Sequence, residues 1–322
     1  MYQFETEKVV ESILKGKFKK VLIQLPDGLK PYAVSLAKEI SKKTNVKVYV
    51  SGEPCYGACD LALQEAESLG VDLIIHYGHS EFPLNPKPKI DVVYVEVKSN
   101  IEVLPVVEKA LPFLKNYKRI GLVTNIQHVH KIVEVKGFLE GKDKKVFVGS
   151  AGGLVKHDGQ ILGCDYTTAE KVKDMVDVFL YFGGGKFHPL GVFFSTKKPV
   201  VAADPYTGEV LDLKGLGEKI LKQRKAFLAK LFQAENVGII VGLKPGQLNL
   251  GLAEELQQRL KEMGKHPTLI CLREIDSKSL DNFPQIDVFL NTACPRVGFD
   301  DAFRYSKPVV SAREFLEAVK EA

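Results

Sequence analysis

The strongest constraint on the fold is a pattern of apolar segments that recurs three times along the chain. Each third opens with a polar lead and a short apolar segment, and these begin near Phe18, Tyr117 and Asn236. A loop rich in polar residues, Gly or Pro follows, and then apolar residues at helical spacing. The repeat length of roughly 100 to 120 residues indicates duplicated domains and not a solenoid.

Further apolar segments in each third predict three more strands. The third segment of each set carries an acidic residue at its start, as V-D-L-I-I at Val71, V-D-V-F-L at Val176 and I-D-V-F-L at Ile286. Strands that are apolar throughout and alternate with helices predict parallel sheets covered on both faces. We therefore expect an α/β protein made of three similar parallel-sheet domains around a central site. The expected domains are residues 1–99, 100–213 and 214–322.

Composition and charge narrow the class of protein. No apolar stretch approaches the roughly 18 residues that a membrane span needs. The segment from Met1 to Lys15 lacks the basic start and apolar run of a signal peptide. The net charge of +5, from 45 basic and 40 acidic residues, is small for a chain of 322. We expect a cytoplasmic protein that binds neither nucleic acid nor a membrane.

Three of the five cysteines occupy comparable places in the pattern. Cys59 and Cys164 each follow the second predicted strand of their third, and Cys294 follows the third strand of the last. Ligands of parallel sheets bind beyond the carboxyl ends of the strands. Structural zinc is typically closed by four protein ligands, whereas a cubane iron–sulfur cluster held by three cysteines leaves one iron open. The residues alone leave two interpretations, one shared cluster site or three unrelated cysteines.

The other two cysteines have different expectations. Cys271 lies inside an apolar segment, T-L-I-C-L, and is expected to be a small buried hydrophobe. Cys55 stands four residues before Cys59, but Pro54 favours an irregular loop, and Cys55 is not expected to be a ligand. The histidines of H-Y-G-H-S at residues 76–80 could bind a metal, although substrate contacts or packing are more common roles.

Polar residues and a glycine run at the predicted strand exits are candidate substrate contacts. The run G-G-G-K-F-H from Gly183 could cradle a carboxylate or a nucleotide edge, or could be an ordinary strand exit. A basic group near the site would suit the carboxylate of an amino-acid substrate. The candidate contacts are Gln24, Asp27, Asn125, Gln127, Gly184, Lys186 and Lys244.

The cysteine segments resemble a known family. G-E-P-C-Y-G-A-C-D-L-A from Gly52, G-Q-I-L-G-C-D-Y from Gly159 and N-T-A-C-P-R-V-G-F-D-D from Asn291 are similar to motifs of the archaeal diphthamide-synthesis enzymes, the 2-(3-amino-3-carboxypropyl)histidine synthases. Q-L-P-D-G-L from Gln24 and Y-F-G-G-G-K-F-H-P-L-G from Tyr181 extend the likeness to nearly the whole chain.

The resemblance implies a cofactor, a reaction and partners. Cys59, Cys164 and Cys294 would bind a 4Fe–4S cluster, and Cys55 would not be a ligand. The cluster would cleave S-adenosylmethionine reductively to a 3-amino-3-carboxypropyl radical, which would add to a histidine of translation elongation factor 2. The enzyme would act as a homodimer with an unidentified electron donor, and with no catalytic residue beyond the cluster.

Two rival functions fit parts of the pattern. Quinolinate synthase is also a triplicated α/β enzyme with one cluster cysteine in each third, but C-Y-G-A-C and N-T-A-C-P-R favour the diphthamide family. An electron carrier or iron–sulfur sensor needs no open iron, so a fourth protein ligand such as Cys55 would be expected. Incubation with S-adenosylmethionine, elongation factor 2 and dithionite distinguishes the diphthamide enzyme from quinolinate synthase, because only the first should raise the mass of the factor. Loss of the cluster in a Cys55→Ala variant would favour the electron carrier.

Overall fold

The computed structural model describes residues 2–299 and 305–321, which form an α/β protein. The chain divides into two compact units, Met1–Asp212 and Leu213–Ala322. Among the described residues, none of the helices combines the length and apolar composition that a membrane crossing requires. The α/β class predicted from the alternating pattern is confirmed.

Unit 1 opens with the first of three parallel sheets. Its strand order is β3-β2-β4-β5, and all four strands run parallel. The strands are β2 (Lys20–Gln24), β3 (Lys47–Val50), β4 (Leu73–Tyr77) and β5 (Asp91–Val95). The helices are α1 (Thr6–Gly16), α2 (Ala33–Thr44) and α3 (Leu63–Leu69). Two short strands, β1 (Tyr2–Gln3) and β6 (Lys98–Ser99), pair antiparallel beside it.

The second sheet of unit 1 repeats this arrangement and adds one strand. Its order is β11-β10-β9-β7-β8, and β11 runs antiparallel to β10, which the sequence pattern did not predict. The strands are β7 (Arg119–Thr124), β8 (Lys145–Phe147), β9 (Val178–Phe182), β10 (Val200–Ala203) and β11 (Val210–Asp212). The helices are α4 (Leu104–Ala110), α5 (Ile132–Glu140), α6 (Thr167–Val172) and α7 (Phe187–Thr196).

Unit 2 begins with a long helix, and the third sheet follows it in the chain. The strand order is β13-β12-β14-β15, again parallel throughout. The strands are β12 (Asn236–Gly242), β13 (His266–Leu272), β14 (Val288–Asn291) and β15 (Val309–Ser311). The helices are α8 (Lys214–Gln233), α9 (Leu250–Glu262), α10 (Ser277–Asp281), α11 (Pro295–Phe299) and α12 (Ala312–Glu321).

The three sheets share both a strand order and an aspartate. In each, the four parallel strands stand in the order second, first, third, fourth. Asp72, Asp177 and Asp287 precede the third strands, and each accepts backbone N–H bonds at 2.8–3.3 Å from two residues at the start of the first strand. This bond explains the recurring Val-Asp or Ile-Asp pair. The division into three domains stays a prediction, because two sheets fall in one compact unit.

The expectation that Cys271 is buried is wrong. Cys271 lies in β13 and is exposed. The reason is that, among the residues described, β13 is the outermost strand of its sheet and pairs only with β12. An apolar run of residues predicts a strand but not its place in the sheet. The cysteine therefore contributes little to the core of unit 2.

The shared aspartate is expected to stabilise unit 1 in a pH-dependent way. Hydrogen bonds from the side chain and backbone of Arg119 lower the pKa of Asp177 to about 2. A lowered pKa stabilises the fold above the unfolded value near 4, and this stabilisation is lost as the pH falls towards 2. Asp177→Asn should therefore cost about 1 kcal/mol of unfolding free energy near neutral pH. Denaturant titrations of both proteins should converge near pH 2, and a deficit independent of pH would contradict this.

Candidate functional site

The loop that carries Cys59 joins β3 to α3, and Lys30 holds its start. The Lys30 Nζ donates to the carbonyl oxygens of Gly52 at 2.9 Å and Glu53 at 2.8 Å. It also forms an ion pair of 2.7 Å with Asp27, whose side chain is largely exposed. Asp27, predicted as a substrate contact, is thus placed beside the ammonium that anchors this loop.

Gln24 holds the other end of the same loop. This buried residue ends β2, and its Nε2 donates to the carbonyl of Asp60 at 2.6 Å. Its Oε1 accepts the backbone N–H of Ala62 at 3.2 Å and also lies 2.9 Å from Nδ1 of His76. Because an amide oxygen can only accept, His76 carries its proton on Nδ1. Cys59, half-buried, precedes this bonded stretch directly.

A pair of histidines continues from Gln24. The Nε2 of His76 lies 3.0 Å from Nδ1 of His79, so the lone pair of the first ring accepts the proton of the second. Burial lowers the pKa of His76 well below its usual value. Burial, and then the charge of His188, lower the pKa of His79 to about 4. Both rings are therefore neutral near pH 7.

The hydrogen bonds of Gln24 are expected to fix the Cys59 loop. Gln24→Ala removes the partners of the buried Asp60 carbonyl and of Nδ1 of His76, and one unsatisfied buried group costs about 1–3 kcal/mol. We expect a loss of at least that size in unfolding free energy, together with faster hydrogen exchange at the Ala62 amide. Gln258→Ala, in an exposed position of α9, is the matched control. Unchanged exchange at Ala62 would show that the loop is fixed by other contacts.

The Cys164 loop is closed by a tight turn. Leu162 and Asp165 exchange two backbone hydrogen bonds of 2.9 and 3.3 Å, so Gly163 and Cys164 form the tip of a two-residue hairpin. A Cβ at Gly163 would come within 2.2 Å of the Phe187 ring, which accounts for a glycine here. Cys164 is exposed. Its thiol is thus presented on a rigid turn.

Loops from the two sheets of unit 1 contact each other beyond the strand ends. Gln127, which follows β7, donates from Nε2 to the carbonyl of Gly78 beyond β4 at 2.9 Å. His157, in the loop that leads to Cys164, lies 2.9 Å from a carboxylate oxygen of Glu96 beyond β5. Parallel strands place their carboxyl ends at one edge. The edges that carry Cys59 and Cys164 therefore face each other.

The glycine run after β9 is supported by Asn125. Asn125 donates from Nδ2 to the hydroxyl of Tyr181 at 3.2 Å, and that hydroxyl donates to the carbonyl of Gly184 at 3.2 Å. A side chain at Gly183, where φ is +154°, would lie within 2.6 Å of the Tyr181 hydroxyl. Asn125 and Gly184, both predicted as substrate contacts, are thus joined through one buried tyrosine.

Gly185, at the end of the glycine run, is exposed to solvent and is hydrogen-bonded to a carboxylate. The N–H of Gly185, at φ +78°, donates to Oδ2 of Asp204 at 3.1 Å. A side chain at Gly185 would meet nothing within 4 Å, so there is open space in front of it. Lys186 is exposed at the start of α7. Its ammonium is accessible to an anionic group in that space.

In unit 2, Cys294 follows β14 in a short bonded loop. Asn291 ends the strand and binds this loop from both sides of its amide: Oδ1 accepts the N–H of Ala293 at 3.0 Å, and Nδ2 donates to the carbonyl of Cys294 at 2.9 Å. The carbonyl of Cys294 also accepts the N–H of Val297 in α11 at 3.1 Å. The thiol is half-buried on a fixed backbone. Asp300 and Asp301, which end this motif, lie outside the described residues.

Lys244, the remaining predicted contact, is buried in unit 2. Its Nζ lies 2.5 Å from a carboxylate oxygen of Glu274, so its charge is balanced inside the unit. The structure thus places the predicted residues at strand exits but uses Gln24 and Gln127 as structural links between loops.

Sequence reasoning missed the buried Asp165. Its carboxylate accepts the N–H groups of Leu154 at 2.5 Å and Thr167 at 2.8 Å and so stabilises the Cys164 loop.

The comparison with protein families covers nearly the whole chain. The family model described as "Putative diphthamide synthesis protein" matches residues 25–322. The chain belongs to this family. The match includes all three cysteine loops and both compact units, so the resemblance recognised in the motifs is confirmed.

Relatives with assigned activities agree with the family. The chain is 33% identical over 317 residues to the 2-(3-amino-3-carboxypropyl)histidine synthase of Pyrococcus horikoshii, covering 98% of this chain and 90% of that one. It is 29% identical to subunit 1 of the same synthase from Kluyveromyces lactis, covering 97% of this chain and 74% of the yeast protein.

A solved structure has the same fold. Dph2 from Pyrococcus horikoshii, determined with a 4Fe–4S cluster, superposes with a TM-score of 0.89 at 31% identity. The match covers 100% of this chain and 92% of that one. The relative therefore binds an iron–sulfur cluster on this fold.

Proposed function

We propose that this chain transfers the 3-amino-3-carboxypropyl group of S-adenosylmethionine to a histidine of translation elongation factor 2, the first step of diphthamide synthesis. The observation that carries the proposal is the placement of Cys59, Cys164 and Cys294, each in a loop beyond the carboxyl end of a different parallel sheet. In the same fold, a family member holds a 4Fe–4S cluster.

The three cysteines fit such a cluster by their chemistry. Thiolates are the usual ligands of iron–sulfur clusters. Each of the three thiols is at least partly accessible, and hydrogen bonds within its own loop fix the backbone beside it. Three cysteines would leave one iron free for a substrate. Cys59 and Cys164 lie on facing edges of unit 1, and Cys294 would complete the set.

When bound, the cluster supplies the electron that cleaves the sulfonium to release the 3-amino-3-carboxypropyl group as a radical. The chain's own residues would bind and orient the substrate. Lys186, exposed beside open space at Gly185, suits the carboxylate of the methionine portion. Asn125 and Gly184 would form the polar wall next to it. Asp27 and Lys244 stay proposed substrate contacts. Gln24 and Gln127 would act by holding the loops in place.

The substrates and partners follow from this reaction. The acceptor is a protein, so the open edge must admit a histidine side chain carried by elongation factor 2. By its likeness to the archaeal family members we expect a homodimer, served by an unidentified electron donor. An enzyme that acts on an elongation factor would work in the cytoplasm.

The proposal is tested by an anaerobic assay of the reconstituted protein. Iron and sulfide content near one cubane per chain is expected. Incubation with S-adenosylmethionine, elongation factor 2 and dithionite should raise the mass of the factor by one 3-amino-3-carboxypropyl group and release methylthioadenosine in equal amount. A factor whose acceptor histidine is replaced is the control.

Two outcomes would reject this function in favour of a rival. Formation of quinolinate from its precursors, with no change in the mass of the factor, would indicate a quinolinate synthase. A cluster that is lost in Cys55→Ala and that never cleaves S-adenosylmethionine would indicate an electron carrier with four cysteine ligands. The family match favours neither of them.

A further inference from the structure

A second group of potential metal ligands lies in unit 1, apart from the three cysteines discussed above. The Sγ of Cys55 and one ring nitrogen each of His76 and His79 lie within 4.8 Å of one another. Cys55 and His76 are buried, and His79 is half-buried. We propose that these three side chains form a binding site for a thiophilic divalent cation, with Zn²⁺ as the ion that the ligands fit best.

The fold brings the three ligands together from two loops of the first sheet. His76 lies near the end of β4, and Gly78 turns the chain so that His79 folds back on it. Gly78 has a φ of +91°, and a side chain there would come within 3.0 Å of Pro26. Cys55 comes from the loop after β3, where Lys30 fixes the two preceding carbonyls of Gly52 and Glu53. The convergence is therefore built into the backbone.

Second-sphere hydrogen bonding favours metal binding by His76. Metal-bound histidines nearly always donate their other ring N–H to a carbonyl or carboxylate oxygen. His76 does this already, because its Nδ1 donates to Oε1 of Gln24 at 2.9 Å. The orientation of that amide is set by its bonds to Asp60 and Ala62. The lone pair on Nε2 of His76 therefore points to His79 and stays available to a metal.

The distance between the two ring nitrogens needs only a small adjustment for a tetrahedral ion. Two imidazole nitrogens at about 2.0–2.1 Å from zinc are about 3.3 Å apart, and a thiolate binds zinc at about 2.3 Å. The present N···N distance between His76 and His79 is 3.0 Å, held by one proton. Zinc would replace that proton, which moves to Nε2 of His79. The Cys55 thiol would lose its own proton, so one proton is released for each ion bound.

The ligand set defines the class of ion and leaves a vacant position. One thiolate with two imidazoles is a combination that zinc accepts, whereas magnesium and calcium prefer oxygen ligands. Three protein ligands leave the fourth position for water or another small ligand, as in catalytic zinc sites. The site stands independently of the proposed function, since none of its ligands is one of the three cluster cysteines.

Zinc X-ray absorption of the full-length, cluster-loaded protein tests the site, because the zinc edge is not obscured by iron. After zinc addition and desalting we expect one zinc per chain, with one sulfur at about 2.3 Å and nitrogen or oxygen ligands at about 2.0–2.1 Å. Cys55→Ser and His79→Gln should each reduce retained zinc from one per chain to nearly none. Cys271→Ser, at the exposed cysteine of β13, should retain it.

Three results would overturn the proposal. The first is the absence of retained zinc in the parent protein. The second is a shell of three sulfurs, which would place zinc at the cluster cysteines instead. The third is unchanged zinc content in a folded Cys55→Ser variant. If that variant does not fold, the ligand shell of the parent protein decides, since a single sulfur supports the site and any other count rejects it.

Discussion

Cys59→Ala, Cys164→Ala and Cys294→Ala are each expected to abolish the transfer reaction and to lower the iron content of the protein. Each substitution removes a thiolate that we propose as a cluster ligand. Replacement of groups one shell beyond a metal already costs about 10–100-fold in affinity or activity, so loss of a direct ligand should cost more than about 100-fold. The measurements are iron and sulfide content after anaerobic reconstitution, and methylthioadenosine release per chain.

Cys271→Ala is the matched control for these three variants. It removes a thiol from the exposed face of an edge strand, so we expect wild-type iron content, activity and stability. Full activity in any one of the three ligand variants would defeat the ligand assignment for that cysteine. Equal loss in Cys271→Ala would show that the assay reports general damage by cysteine replacement and not ligation.

The regular elements were predictable because their residues repeat a simple pattern. The apolar runs that begin at Val71 and Ile286 form β4 and β14, and the acidic residue in each run binds the start of a neighbouring strand. The loop positions of Cys59, Cys164 and Cys294 also followed from the order of the strands. Local sequence is sufficient for such features, since strand and helix periodicity act over a few residues.

Features that depend on partners distant in sequence were not predictable. The exposure of Cys271 depends on the place of β13 at the edge of its sheet as the described residues form it, and the pairing of Gln127 with Gly78 joins residues of different sheets. The convergence of Cys55 with His76 and His79 depends on the turn at Gly78. A sequence pattern identifies these side chains as candidates, but only tertiary packing decides which atoms meet.

Buried Arg224 is the clearest case of such a contact, and its loss should have the largest effect on stability. Arg224 lies in α8 and is 4% exposed. Its Nε donates to Glu314 at 2.7 Å, and its guanidinium also donates to the carbonyls of Gly298 and Val309. Gly298 belongs to α11, which directly follows Cys294. The arginine thus connects the long helix of unit 2 to the segment that carries a proposed cluster ligand.

Arg224→Met is expected to destabilise unit 2 by about 3 kcal/mol, because it removes the counter-charge of the half-buried Glu314 carboxylate and leaves the carbonyls of Gly298 and Val309 without a donor. Burial alone would raise the pKa of Glu314, but the hydrogen bonds and charge of Arg224 lower it below its usual value. In the wild type, this pair therefore stabilises the fold above the unfolded pKa of the carboxyl group, and the stabilisation is lost as the pH falls through the lowered value. The variant should lack this dependence.

A second substitution separates the cost of an unpaired charge from that of lost packing. Replacing both members, in Arg224→Met with Glu314→Leu, removes the buried charge together with its partner, and such exchanges are often close to neutral. Denaturant unfolding should therefore show the double variant to be markedly more stable than Arg224→Met alone. If the single variant instead loses less than about 1 kcal/mol, the value typical of an exposed pair, the guanidinium does not hold α8 and α11 together.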